Sequence, residues 1–130
     1  MRKFIFLSLL FIIVLGGCQN TEKMPEKTKN IKEVYISEFE GTGLNENFNK
    51  KFTKDEEIDA FKILVKNANK QKEEVKQFDY DMKLVLTDGT DRGLRLSKNG
   101  KNEIIVKFIG HSDTYVLGAE YSERLIKLIY

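Results

Sequence analysis

Residues 78–109 read FDYDMKLVLTDGTDRGLRLSKNGKNEIIVKFI. Phe78, Tyr80, Met82, Leu84 and Leu86 alternate with Asp79, Asp81, Lys83, Val85 and Thr87. A period of two places one set against a core and the other toward solvent, the pattern of a half-buried strand. Two turn signals follow, Asp88-Gly89 and Asn99-Gly100, with further short strands at Arg92 to Ser97 and Glu103 to Ile109. A two-residue loop at Asp88-Gly89 would set Met82 opposite Arg95 and bring the apolar faces into conflict. A three-residue loop, Thr87-Asp88-Gly89 with a left-handed Gly89, pairs Met82 with Leu94 and Tyr80 with Leu96. The same reading of Lys98-Asn99-Gly100 pairs Leu94 with Ile104. It lines up Asp81, Arg95 and Glu103 on the opposite face and sets Asp91 across from Lys107. Opposite charges facing each other across strands stabilise a sheet by up to about 1 kcal/mol per pair.

Outward from this meander, Thr114 to Leu117 reads as one more strand, after the turn at Gly110-His111-Ser112-Asp113. Glu120 to Tyr130, with Tyr121, Leu125, Leu128 and Ile129, reads as a short amphipathic helix. Upstream, Ile31 to Phe39 is rich in β-branched and aromatic residues and reads as a strand. A Gly- and Asn-rich loop, Gly41 to Asn49, follows it. Thr53 and Glu56 have the spacing of a capping box, and Ile58, Phe61, Leu64, Val65 and Ala68 recur at helical spacing, giving a helix over Lys54 to Asn69. The expected fold is α+β: an antiparallel meander sheet of four to five strands against one main helix, with a short C-terminal helix, in the order β-α-β-β-β-β-α.

The N-terminus has a different character. Arg2 and Lys3 precede an apolar run from Phe4 to Leu15, broken only by Ser8, and the run ends in Leu15-Gly16-Gly17-Cys18. A positive end, a short greasy stretch and small residues before a cut are the parts of an export signal. The stretch is shorter than the roughly 20 residues a membrane-spanning helix needs. Leu15, Gly16, Gly17 and Cys18 resemble the lipobox of bacterial lipoprotein signal peptides. The resemblance implies that Cys18 receives a diacylglyceryl group and becomes the mature N-terminus, so that membrane lipid is the first partner. Two long acyl chains on one residue hold a protein at a bilayer, where a single chain binds marginally. Gln19 to Asn30 (QNTEKMPEKTKN) is polar, carries the sole proline and lacks apolar periodicity. It reads as a flexible tether. The expected organisation is signal peptide 1–17, lipidated cysteine and tether 18–30, and a single globular domain 31–130.

Composition narrows the functional classes. The chain holds 22 basic and 20 acidic residues, and removal of Arg2 and Lys3 leaves 20 against 20. No basic stripe is present, so nucleic acid is not an expected partner. Cys18 is the only cysteine, so the exported domain folds without a disulfide. His111 is the only histidine and reads as a turn residue, since a triad or zinc site needs partners that sequence neighbours do not supply. Asp79, Asp81, Asp88 and Asp91 lack the spacing of a calcium loop. Gly41-Thr42-Gly43 lacks the lysine and the serine or threonine of a phosphate loop. No catalytic residue, metal ligand or cofactor-binding residue is assigned. Ile105, Ile109, Val85 and Gly93 fall on the outer sheet face, and the C-terminal helix is expected to cover them; left bare, they would form a partner-binding patch.

The lipobox, the charged tether, the opening strand with its Gly-Asn loop, the Phe-rich entry to a capped helix (Phe48, Phe52) and the meander ending in a short helix together resemble the small YhfM-like lipoproteins of bacilli. That resemblance implies a cell-surface lipoprotein and brings no catalytic residues with it. The expected function is therefore a membrane-anchored, extracytoplasmic, non-enzymatic binding or accessory domain whose partner is a protein, a wall component or a small ligand. The alternatives are a carboxylate-based hydrolase of envelope polymers and a structural subunit of an envelope complex.

Overall fold

The computed structural model describes residues 22–130. Seven strands form one antiparallel sheet: β1 (Ile31–Glu38), β2 (Lys50–Phe52), β3 (Asn69–Gln71), β4 (Tyr80–Leu86), β5 (Asp91–Lys98), β6 (Ile104–Phe108) and β7 (Thr114–Leu117), in the order β2-β1-β4-β5-β6-β7-β3. Helix α1 (Asp55–Asn67) lies between β2 and β3 in the chain, and α2 (Ala119–Ile129) ends it. The α+β class and the meander are as expected. The sheet has seven strands rather than four or five because two three-residue segments, Lys50–Phe52 and Asn69–Gln71, close its edges. Segments that short carry no readable alternation, and both bear lysine, a residue that discourages further pairing at an open edge.

The inner face is built by alternation. Val34 and Ile36 of β1, Met82, Leu84 and Leu86 of β4, Leu94 and Leu96 of β5 and Val106 of β6 are buried against Phe61, Leu64 and Val65 of α1 and Leu125 and Ile129 of α2. Full burial of such a side chain contributes about 1.5–3 kcal/mol, so this layer carries most of the stability. Phe52 and Phe61 meet with ring centroids 5.4 Å apart and pin β2 to α1. Helix α1 starts one residue later than expected: Glu57, not Glu56, folds back to accept the Lys54 N–H at 3.3 Å, and Thr53 does not cap it. It ends at Asn67, before the expected Asn69, because Ala68 turns extended and Asn69 pairs with Val116.

The first hairpin has the expected register: Tyr80 opposes Leu96, Asp81 opposes Arg95 and Met82 opposes Leu94, with Gly89 at φ +91°. The second does not. Leu94 pairs with Phe108 rather than Ile104, and Arg95 with Lys107 rather than Glu103, a slip of four residues. Asp91 faces Val85, not Lys107. Asn99 causes the slip. Its Oδ1 accepts the N–H groups of Lys101 and Glu103 at 2.9 and 3.0 Å, and its Nδ2 donates to Glu103 at 2.8 Å. The left-handed position falls on Asn102 (φ +61°), not on Gly100. An Asn side chain that satisfies loop amides in this way supports a longer loop, Asn99–Glu103, than a tight turn would use.

The domain also begins earlier than Ile31. Residues 22–30, expected as part of a flexible tether, pack on it. Met24 is 5 % exposed and Thr28 fully buried. The Lys70 N–H donates to the Glu22 carbonyl at 2.8 Å, and Glu26–Lys29 forms a 3-10 turn. Among the described residues no helix is long and apolar enough to cross a membrane.

Candidate functional site

The outer sheet face is where the chain concentrates its polar chemistry. Strand pairing places Ser37, Asp81, Arg95, Lys107 and Thr114 side by side across β1, β4, β5, β6 and β7. Two loops lie over this row. The segment from Phe39 to Asn49 returns across it: the Ser37 hydroxyl donates to the Asn45 carbonyl at 2.6 Å, and the Asn45 N–H donates to Asp81 Oδ2 at 2.8 Å. The Asn45 side chain donates to the Glu38 carbonyl at 2.9 Å and accepts the Asn47 N–H at 3.0 Å, which holds the loop in its own turn. Leu44 comes down on Gly93, where an added Cβ would lie 3.8 Å from Leu44 and 3.3 Å from Ile109. The second cover is residues 72–79, which must pass β7, β6 and β5 to connect β3 with β4. The Thr114 hydroxyl donates to the Glu73 carbonyl at 2.9 Å and fixes this passage on the outer side. Phe39 and Phe78 meet where the two loops converge, with centroids 5.9 Å apart.

The C-terminal helix does not cover the outer apolar residues, because it packs on the inner face with α1; Leu44 of the loop meets Gly93 beside Ile109 instead, and Val85 and Ile109 stay half-buried. Ile105 is 8 % exposed although it points outward. This cover is hard to read from sequence, because loops rich in Gly, Asn, Lys and Glu look solvated. Leu44 and Phe48, the two apolar residues within Gly41 to Asn49, were the available signal.

Asp81 is the one fully buried carboxylate among the described residues. Burial raises its pKa above the usual carboxylate value, while the Asn45 N–H and the Arg95 guanidinium pull it down. Its Oδ1 stands 3.9 Å from Arg95 Nε, so the expected pair is present as an ion pair without a hydrogen bond, and neither atom has another partner. The Arg95 guanidinium lies 5.2 Å from the Phe39 ring. The group is enclosed and serves to tie the loop to the sheet.

Asp79, two residues away, has a different environment. Its Oδ2 accepts the Tyr130 hydroxyl at 2.5 Å and the Lys98 N–H at 3.1 Å. Around it an open cleft of about 420 Å³ is lined by Glu38, Phe39, Phe78, Tyr80 and Tyr130. Tyr80 and Tyr130 meet edge to face at 5.1 Å. Partial burial, then the bond to Asp79, raises the Tyr130 pKa far above that of a free phenol, so its hydroxyl remains a donor at all physiological pH. The cleft joins the end of β1, the start of β4 and the end of α2, three places that the sequence does not mark as neighbours.

The other candidate residues scatter. His111 is an exposed turn residue whose N–H donates to the Phe108 carbonyl at 3.1 Å and whose ring lies 6.0 Å from Phe108. Asp113 pairs with Lys70 at 3.6 Å. Asp88 accepts the hydroxyl and N–H of Thr90, and the hydroxyl bond leads in lowering its pKa. Asp79, Asp81, Asp88 and Asp91 form no metal-holding group, and none exists among the described residues. Gly41 and Gly43 take positive φ within the covering loop. Leu15, Gly16, Gly17 and Cys18 lie outside the described residues.

The seven-stranded antiparallel sheet, with its helices on one face and the strands that flank α1 at its two edges, resembles a hotdog-type α+β fold. A crystal structure of a thioesterase-like protein from Clostridium sporogenes has the same fold, with a TM-score of 0.62 and 15 % identity over 76 % of this chain and 94 % of that one. No protein-family model matches the sequence, and neither does any curated protein.

Proposed function

We propose that this chain is a lipid-anchored, extracytoplasmic binding or accessory domain, held through diacylglyceryl-Cys18 at the outer face of the cell membrane. The anchor rests on the sequence: charge, short apolar run, small residues and cysteine occur in signal-peptide order. The binding reading rests on one observation in the folded part. The open cleft joins four aromatic rings to two carboxylates, Glu38 and Asp79, whereas the one buried carboxylate is sealed by its own loop. The open surface of that cleft is mostly polar, and Asp79 is held in place by the Tyr130 hydroxyl and the Lys98 N–H; fixed polar groups in a cleft are what orient a ligand.

A second reading has one observation in its favour. A carboxylate with a raised pKa is suited to proton transfer, Asp81 is such a group, and the Clostridium sporogenes protein of similar fold is thioesterase-like. Hydrolysis of an acyl thioester needs that group within reach of the substrate, so it requires the Phe39–Asn49 loop to lift. Two measurements separate the readings. Crosslinking in intact cells should capture a bound partner, and the full chain in detergent should leave acyl thioesters intact. Turnover that disappears in Asp81→Asn would replace the binding reading with the hydrolase.

A further inference from the structure

Resting on the lipid-anchored reading, we propose that the β3 edge of the domain, with the turn at residues 110–113 beside it, faces the phospholipid headgroups, and that β2 and the start of α1 point away from the membrane. Reach decides this. Three residues, Gln19, Asn20 and Thr21, separate Cys18 from Glu22, so Glu22 lies within about 14 Å of the lipidated residue even at full extension. Glu22 already belongs to the sheet. The Lys70 N–H donates to its carbonyl at 2.8 Å, Lys23 pairs antiparallel with Asn69, and Met24 is buried in the core. The Lys70 ammonium stands 3.0 Å from the Glu22 carboxylate and 3.6 Å from that of Asp113, which ties the lead-in, β3 and the approach to β7 together. Followed back from Lys23 to Glu22, the chain runs along β3 in the direction of Gln71, which pairs with Thr114. Glu22, the point of attachment, therefore lies at the corner made by β3 and the turn that precedes β7.

Helix α1 measures the distance to the other end of the molecule. Its 13 residues span about 20 Å, with β2 just before its first turn and β3 just after its last. That length exceeds the reach from Cys18, so β2 cannot become the membrane-facing end unless Glu22 and Lys23 peel from β3. The surface turned to the bilayer suits headgroups rather than acyl chains. Lys72, Glu73, His111, Ser112 and Asp113 are exposed and polar, and Tyr115 of β7 is buried. Lys70 offsets Glu22 and Asp113 in a mixed-charge chain, so contact requires no anionic lipid, and attachment comes from the acyl chains on Cys18.

Cys18 is the only cysteine in the chain, and a sulfur in thioether linkage takes no thiol label, so an added cysteine reports its own position alone. The test attaches a fluorophore to Ser112→Cys, Lys72→Cys or Thr53→Cys in the full lipidated chain, held in phosphatidylcholine vesicles that carry headgroup nitroxides. All three positions are exposed, and Lys72→Cys serves if Ser112→Cys folds poorly. Labels at 112 and 72 should be quenched several-fold more than the label at 53, and to the same extent with or without phosphatidylglycerol in the vesicles. A Gly-Ser insert of about 20 residues after Asn20, which adds roughly 25 Å of reach, should bring quenching at 112 down to the level at 53 while the protein stays on the vesicles. Equal quenching at 112 and 53 without the insert, or stronger quenching at 53, overturns the orientation and leaves the anchor standing. Quenching at 112 that appears only with phosphatidylglycerol also overturns it, in favour of electrostatic docking. Uptake of label by the unsubstituted chain would reveal a free Cys18 thiol, and the anchor reading and this proposal would then fall together.

Discussion

Asp81 carries a carboxyl group with no exposed surface, and the cost of burying its charge sets the pH behaviour of the outer face. Its folded pKa lies above the ordinary value of 3.8, with burial as the leading cause. Between those two values the folded state holds a proton that the unfolded state has lost, so stability falls as pH rises through that window and is level above it. Chemical denaturation across pH 3.5 to 7 should show this downward component, and Asp81→Asn should remove it. The same slope in both proteins would place the titrating group elsewhere. Gly93 sets a second residue-scale test, because Leu44 and Ile109 fill the space its missing Cβ leaves. Gly93→Val should cost about 1–3 kcal/mol through overpacking and speed amide exchange across Gly41 to Asn49. An unchanged denaturation midpoint would mean that Leu44 does not seat there.

At the scale of elements, alternation along residues 78–109 was enough to give the class, the meander and the first register, where Gly89 and the Met82–Leu94 pairing agree. The second register was not legible for a physical reason. A slip of four residues keeps every side chain on its own face, so the apolar pattern is the same in both registers. Only the Asn99-Gly100 turn signal and the charge pairing separated them, and both pointed to the other register. The loop's own hydrogen bonds at Asn99 outweigh a surface pair that contributes a few tenths of a kcal/mol, and Arg95 accepts Lys107 as a neighbour because Asp81 stands on its other side. Asn102→Val should therefore cost about 1–2 kcal/mol, the penalty of a branched residue in the left-handed region, whereas Gly100→Ala should be close to neutral. The edge strands escaped notice because three residues carry no period. Yet Lys50 in β2 donates to the Ile129 carbonyl at 2.6 Å and closes the last turn of α2. Lys50→Met should cost about 1 kcal/mol and raise hydrogen exchange at the end of that helix; protection that stays the same would show the bond to be dispensable.

For the whole molecule, the domain is held by its inner core, the two covering loops and a short lead-in, with no disulfide available. The lead-in is structural up to Glu22, since Met24 and Thr28 are buried. Loss of Met24 and its neighbours in a chain starting at Ile31 should lower stability by about 2–4 kcal/mol, as expected for removal of a buried side chain with its cavity. An equal unfolding midpoint would return residues 22–30 to the role of a tether. The cleft at the junction of β1, β4 and α2 was invisible to sequence because Glu38, Asp79 and Tyr130 come together only once the sheet order is known. The proposed anchor has the opposite status: the residues it rests on, Leu15 to Cys18, are contiguous and readable, and they lie outside the described residues. That part of the account is tested most directly by the intact mass of the protein from native membranes. The expected mass is that of a chain that begins at Cys18 and carries a diacylglyceryl group. An unmodified chain that retains Met1 to Gly17 would contradict it.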